Sequence, residues 1–203
     1  MPEDFNGLDV FWDGHAAVRV RDGDFTLAAD PSSEVSPDFS ADIVLLTGED
    51  RVDVGKLDEV CHDRTCAVIP EDAESEPPCI DVERIRAGEL IEIYGVEIEA
   101  FEAEEGLGYR FVMDGSSIYV AGKAALSEAA FDLENRVDLA FLPVTGSMDI
   151  EGAVEYAVRV KPEKVVPYLY GPPSLEDVNT RPFAAELEDR SIGSSIIDPE
   201  PKN

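Results

Sequence analysis

Residues 45–57 read LLTGEDRVDVGKL, placing Glu49, Asp50 and Asp53 behind Thr47 and Gly48 in a loop that follows an apolar run, ADIV. Carboxylates clustered where a buried strand ends are oxygen ligands for a hard cation such as Mg²⁺, Mn²⁺ or Ca²⁺, or groups able to move protons. A softer cluster, Cys61, His62, Cys66 and Cys79, invites a zinc reading. The Cys61-x4-Cys66 gap lacks the usual two-residue clip, however, and Cys66 lies in TCAVI, which reads as a buried strand. Three cysteines are an odd count, so buried thiols are expected in preference to a disulfide framework or a zinc site. The pairs Ser32-Ser33 and Ser116-Ser117 have no G-x-S-x-G context, and Gly106-Leu107-Gly108 lacks the rest of a dinucleotide fingerprint.

The elements that must position these groups fall into two rhythms. VFWDGHAAVRV, FTLAAD and DIVLLT read as short strands joined by tight turns, the last of them more buried. Residues 56–62 suit a short helix, CAVIP a strand, and EDAESEPPC a solvated acidic loop. ELIEIYG, VEIEAFEA, YRFVMDG and SSIYVAG alternate apolar with polar residues and predict a second antiparallel sheet. Beyond it helix and strand alternate: helices over 124–131, 149–160 with Asp149 as N-cap, and 180–188; strands over DLAFLPV, KVVPYLY and 194–197. Strands first and strand-helix alternation later, repeated in two halves, predict an α/β (α+β) protein built as a four-layer αββα sandwich, with residues 1–203 forming one domain.

Charge narrows the class of function. There are 45 Asp and Glu against 16 Lys and Arg, a net charge of -29, in a chain that is still 44% hydrophobic. Enough apolar residues recur at strand and helix spacing for the chain to fold. The self-repulsion fades in molar salt, where the Debye length is ~3 Å, so a salt-loving cytoplasm is expected, in keeping with five Lys beside eleven Arg. No basic cluster offers a nucleic-acid surface, and no leader or membrane span is read.

Several words then become legible. Gly14-His15-Ala16-Ala17, Ala29-Asp30-Pro31, Gly108-Tyr109-Arg110-Phe111, the run GSSIYVAG ending at Gly122, the strand 138–143 with the helix after it, and Val166-Pro167-Tyr168-Leu169-Tyr170-Gly171 come in a fixed order. Together they resemble the metallo-β-lactamase fold superfamily, in its branch of small predicted metal-dependent hydrolases. The resemblance implies the αββα fold and a pair of divalent metals held by T-H-x-H-x-D-H, a ligand in a later loop, the aspartate of A-G-D and the histidine of P-x-H-Y-G.

Matched residue by residue, that ligand set is absent. Thr47 keeps the threonine, but the first two histidines fall on Gly48 and Asp50, the aspartate on Val52 and the third histidine on Asp53. The later loop carries Glu105 and no histidine, the bridging aspartate falls on Lys123, and the last histidine on Leu169, next to Tyr170. Only His15 and His62 exist in the chain. The resemblance therefore implies a vestigial cleft formed by His15, Asp30, Thr47, Gly48, Glu49, Asp50, Asp53, Glu105, Lys123, Leu169 and Tyr170, with no catalytic residue and no metal or other cofactor.

Lys123 is expected to stand in for the metals by neutralising Asp50 and Asp53, with solvent exposure as the simpler alternative. His15 and Asp30 are expected to fix loops. The resulting expectation is a metal-free, inactive protein that binds an unidentified small molecule or protein. Two alternatives remain open: a hydrolase with a hard cation on Glu49, Asp50, Asp53 and Glu105, and a metal-independent enzyme using Lys123 as base or nucleophile. An aromatic cleft at Phe11, Trp12, Tyr168 and Tyr170 is the less favoured reading of residues expected in the core.

Overall fold

Period-two alternation sets the layers of this molecule. The computed structural model describes residues 2–34, 38–51, 53–79, 81–123, 132–145, 148–168 and 180–197. The first sheet runs β1 (Glu3–Phe5), β2 (Leu8–Gly14), β3 (Ala17–Asp22), β4 (Phe25–Ala29), β5 (Ile43–Leu45), β6 (Cys66–Pro70) and β7 (Asp81–Ile85), in chain order. The second runs β8 (Leu90–Ile93), β9 (Val96–Glu102), β10 (Leu107–Met113), β11 (Ser116–Val120), β12 (Leu139–Pro143), β13 (Lys164–Tyr168) and β14 (Gly193–Ser194), again in chain order.

Each sheet begins as an antiparallel meander, β1 to β4 and β8 to β11, and continues with parallel strands, β4 to β7 and β11 to β14. The inner parallel strands β5, β6, β12 and β13 are buried on both faces, which is why they read as continuous apolar words. In β5, Ile43 and Leu45 face the space between the sheets, where they join Val10, Trp12, Ile98, Phe111 and Phe141, while Val44 packs under a helix with Leu57 and Val60.

That helix is α1 (Val54–Val60). On the second sheet, α2 (Ile150–Val160) and α3 (Arg181–Asp189) cover Tyr119, Ala140 and Val165 through Tyr156, Ala157, Phe183 and Leu187. The order helix, sheet, sheet, helix is the expected αββα sandwich. Asp149 caps α2 by accepting from the Gly152 amide at 2.8 Å, as its position predicts. Among the described residues, no helix is long and apolar enough to cross a membrane.

Some boundaries differ from the reading of the sequence. The helix expected over 56–62 begins at Val54, because Asp53 is its N-cap. The strand expected over 194–197 is only Gly193–Ser194, held by two register pairs with β13. Residues 124–131, expected as a helix, lie outside the described residues. Phe11, Trp12 and Tyr168 are 4%, 3% and 0% exposed, so they belong to the core and line no cleft.

The cysteines depart from expectation more sharply. Cys61, at the C-terminus of α1, is paired with Cys79 in a disulfide, their Cα atoms 5.4 Å apart, and only Cys66 is free and buried. Burial pushes the Cys66 thiol up to about 11. The acidic segment 71–79 is thereby a tethered loop: its end is bonded to α1, and Arg84 Nη1 donates to Ala73 O at 2.7 Å.

Candidate functional site

The cleft forms where the parallel strands of both sheets end. Asp30 follows β4 and adopts a left-handed backbone (φ 47°), which turns its buried side chain onto Thr47, just past β5. Asp30 Oδ1 accepts from the Thr47 amide at 2.8 Å and Oδ2 from Thr47 Oγ1 at 2.6 Å. Burial pushes the Asp30 carboxyl up to about 6, against the pull of Arg51 and of the Thr47 bonds.

Thr47 also joins the sheets, since its carbonyl accepts from the Leu107 amide at 2.7 Å. That approach requires glycine at 106: φ there is +73°, and a Cβ would lie 2.0 Å from Thr47 O. Two buried tyrosines complete the junction, Tyr109 donating to Leu46 O and Tyr168 to Gly122 O, each at 3.0 Å.

From this frame a short 3₁₀ turn, Glu49–Arg51, carries the charged groups. Gly48 serves it through its backbone, accepting from the Arg51 amide at 3.1 Å. Asp50 lies 3.1 Å from Lys123 Nζ, and Glu105 bonds the same ammonium across an isolated bridge between residues 105 and 123. The bond from Glu105, reinforced by Asp50, holds the Lys123 ammonium above the usual lysine range. Its side chain is 29% exposed, so it sits at the rim of the cleft.

The expected link between Lys123 and Asp53 is not made. Asp53 instead caps α1, accepting from the Lys56 amide at 3.0 Å and from Ser33 N and Oγ at 2.7 and 2.6 Å. Burial works against its charge, yet those bonds keep the Asp53 carboxyl below the ordinary range. Glu49 turns away from the cleft to take the Glu74 and Ser75 amides of the tethered loop at 3.0 and 3.1 Å, and the Ser75 hydroxyl holds its carboxyl low. Leu169 and Tyr170 lie outside the described residues.

His15 stands across the cleft in a left-handed turn (φ 48°), its carbonyl fixed by Trp12 Nε1 at 2.9 Å. Its Nε2 lies 3.1 Å from Arg51 Nη1. A guanidinium can only donate, so Nε2 is the acceptor and the ring proton is on Nδ1, a buried atom with no partner among the described residues. Burial, with Arg51 second, keeps the imidazole below its usual pKa. His15 and Asp30 each bond a residue of the loop after β5, Arg51 and Thr47.

Arg51 is the group that sequence reasoning missed. It stands at an unspecified position of the T-H-x-H-x-D-H word, and only its place as the single base in GEDRVD hinted at a part in the charge balance. Arg51 helps line a cavity of about 310 Å³ together with His15, Asp30, Asp50 and Asp53.

Comparison with known proteins agrees with this frame. Residues 9–168 match the family profile described as beta-lactamase superfamily domain. The chain belongs to that family. A curated relative, a UPF0173 metal-dependent hydrolase of Thermoplasma acidophilum, is 26% identical over 216 residues, spanning 95% of this chain and 96% of its own. Among solved structures, a candidate metal-dependent hydrolase from Parabacteroides distasonis superposes with a TM-score of 0.83 at 23% identity, covering 95% of this chain and 94% of that one. The metallo hydrolase Igni18 of Ignicoccus hospitalis gives 0.73 at 16% identity, with 95% of each chain covered. At these identities the structural likeness carries the fold alone.

The cleft carboxylates Glu49, Asp50, Asp53 and Glu105 are each taken up by other groups of the protein. Among the described residues, no group of three or more His, Cys, Asp or Glu is placed to hold a metal ion. Asp50 and Glu105 are engaged by an ammonium, Asp53 by Ser33 and the start of α1, and Glu49 by the loop beyond. His62 lies away from the cleft, its Nε2 3.7 Å from Asp42.

Proposed function

We propose that this β-lactamase-superfamily protein is a non-hydrolytic member: a metal-free fold, single-domain over 1–203, whose cleft binds a partner molecule and does not cleave it. The observation that carries the reading is the Lys123 ammonium, held between Asp50 and Glu105 where the family's bridging carboxylate would sit. A fixed monocation there neutralises the carboxylates that a metal would otherwise need. Arg51, bonded to His15 deeper in the cleft, adds a second positive charge. The -29 charge supports the further reading of a protein adapted to a salt-rich cytoplasm.

A second reading, a metal-dependent hydrolase, is favoured by the description of the Thermoplasma relative. It would require Asp50 and Glu105 to exchange Lys123 for a hard cation. The third reading, Lys123 as base or nucleophile, is opposed by the same carboxylates, which favour its charged form and leave it without a lone pair.

The test is elemental analysis of protein purified in high KCl, followed by titration with Zn²⁺, Mn²⁺ and Mg²⁺. The expected outcome is less than stoichiometric metal and no saturable binding at micromolar concentration. One equivalent of tightly bound metal would overturn the reading.

A further inference from the structure

Arg51 has an unusual set of partners for a sunken arginine in so acidic a chain. Arg19, comparably buried, takes both oxygens of Asp13 at 2.6 and 2.7 Å, and Arg110 reaches Glu97 at 3.1 Å. The Arg51 side chain is only 13% exposed, yet among the described residues its ion pair is a long one, 3.6 Å from Nε to Asp50 Oδ2. Its one side-chain hydrogen bond among the described residues goes to His15, a neutral acceptor.

Three of the four carboxylates around the cavity are already committed to its walls, and the fourth, Glu34, is exposed. Asp30 is held by Thr47, Asp53 by Ser33 and the Lys56 amide, and Asp50 by Lys123. The guanidinium, with five N–H donors in a planar fork, therefore carries hydrogens that these walls do not use. Its natural complement is a planar carboxylate, which such a fork binds through two parallel hydrogen bonds. The cavity's size, about 310 Å³, is at the small end of ligand pockets, which run from about 300 to 1,000 Å³.

We propose that Arg51 receives the carboxylate of a small organic monoacid in the cavity between His15, Ser33 and Asp50. Each further negative charge on the ligand would face Asp30, Glu34, Asp50 and Asp53, so a monocarboxylate is preferred over phosphate or a diacid. The proposal deepens the metal-free reading and rests on it. A terminal carboxylate of a peptide offers the same chemistry from another source.

The test is titration of ¹⁵N-labelled protein in potassium fluoride with acetate, inorganic phosphate, triglycine and triglycine amide, following the Arg51 Nε–Hε signal identified by its loss in Arg51→Lys. Acetate is expected to shift that signal saturably, with phosphate at least about tenfold weaker, which is ~1.4 kcal/mol. Arg51→Lys and Arg51→Gln should weaken acetate by a similar factor, read from the Ser33 amide. If neither variant folds, the wild-type Arg51 signal, identified then through its correlation with the assigned Arg51 backbone amide, decides alone. A shift by triglycine but not its amide extends the site to chain ends, and acetate alone restricts it to free acids. An unmoved Arg51 signal, or equal shifts by triglycine and its amide, would overturn the proposal. Acetate binding that survives Arg51→Lys but is abolished by a chelator would instead sink the metal-free reading beneath it.

Discussion

Asp30 and Thr47 are clasped by two hydrogen bonds, one oxygen of the carboxylate on the threonine amide and the other on its hydroxyl, at the point where the two sheets meet. The carboxylate is 3% exposed and its pKa is raised from 3.8 to about 6. The folded state therefore holds this proton more tightly than the unfolded chain. Its contribution to stability is complete below the unfolded pKa and is lost as pH rises through about 6. Because all the other carboxylates titrate too, the stability difference between wild type and Asp30→Asn isolates this group. Denaturant titrations should show that difference moving against the wild type by on the order of 3 kcal/mol between pH 4 and 7.

Lys123, by contrast, is a rim cation with two half-exposed or exposed partners. Lys123→Ala should lower stability by about 1 kcal/mol or less in dilute buffer, since exposed ion pairs contribute little. The loss should shrink towards zero in molar KCl as screening removes the repulsion between Asp50 and Glu105. Melting temperatures across a salt series test this, and a loss that persists undiminished at molar salt would show an enclosed ammonium.

Gly106→Ala should be far more damaging than its size suggests. The new methyl would need to sit 2.0 Å from the Thr47 carbonyl oxygen in a left-handed backbone. A loss of about 3 kcal/mol or more is expected, combining φ strain with a broken sheet junction. Gly115→Ala, at a left-handed turn with open space around it, is the control for strain without collision and should cost less.

The bond between Cys61 and Cys79 closes a segment 18 residues apart in sequence. Cys61→Ser with Cys79→Ser should cost about 3 kcal/mol, the loop-entropy value for a ring of this length. Hydrogen exchange should quicken at the Glu74 and Ser75 amides, which bond Glu49. Intact mass under non-reducing conditions, before and after alkylation, checks that the pair is formed.

Much of the fold was legible because burial writes itself into strands: VEIEAF and YRFVM alternate, and IVLL is apolar throughout. What escaped were edges. β1 is three residues, EDF, and β7 reads DVERI with most side chains exposed, so neither carries an apolar pattern and both hide in acidic surroundings. In the site, family words placed Lys123 opposite Asp50 and Asp53; the ammonium meets Asp50, but its second partner is Glu105. They could not place Asp53 or Glu49, whose partners are a serine before α1 and the backbone of a distant loop, contacts of 20 and 26 residues' separation. Arg51 was invisible for a related reason: a 3₁₀ turn aims successive side chains in different directions, and no spacing rule tells which one enters the cleft.

Each sheet is encoded by one unbroken half of the chain, residues 3–85 and 90–194, linked by the single exposed turn at 86–89. A cut in that turn would leave every strand with the neighbours it has now. The interface between the fragments would be the inter-sheet core, as apolar as a domain sliced in two, and fastened by Lys164 on Glu3 at 2.6 Å and Tyr94 on the Arg64 carbonyl at 2.6 Å. Co-expressed halves should accordingly co-purify as a heterodimer. Asp50 and Arg51 would arrive on one polypeptide and Glu105 and Lys123 on the other, so the cleft would come into being only on their association.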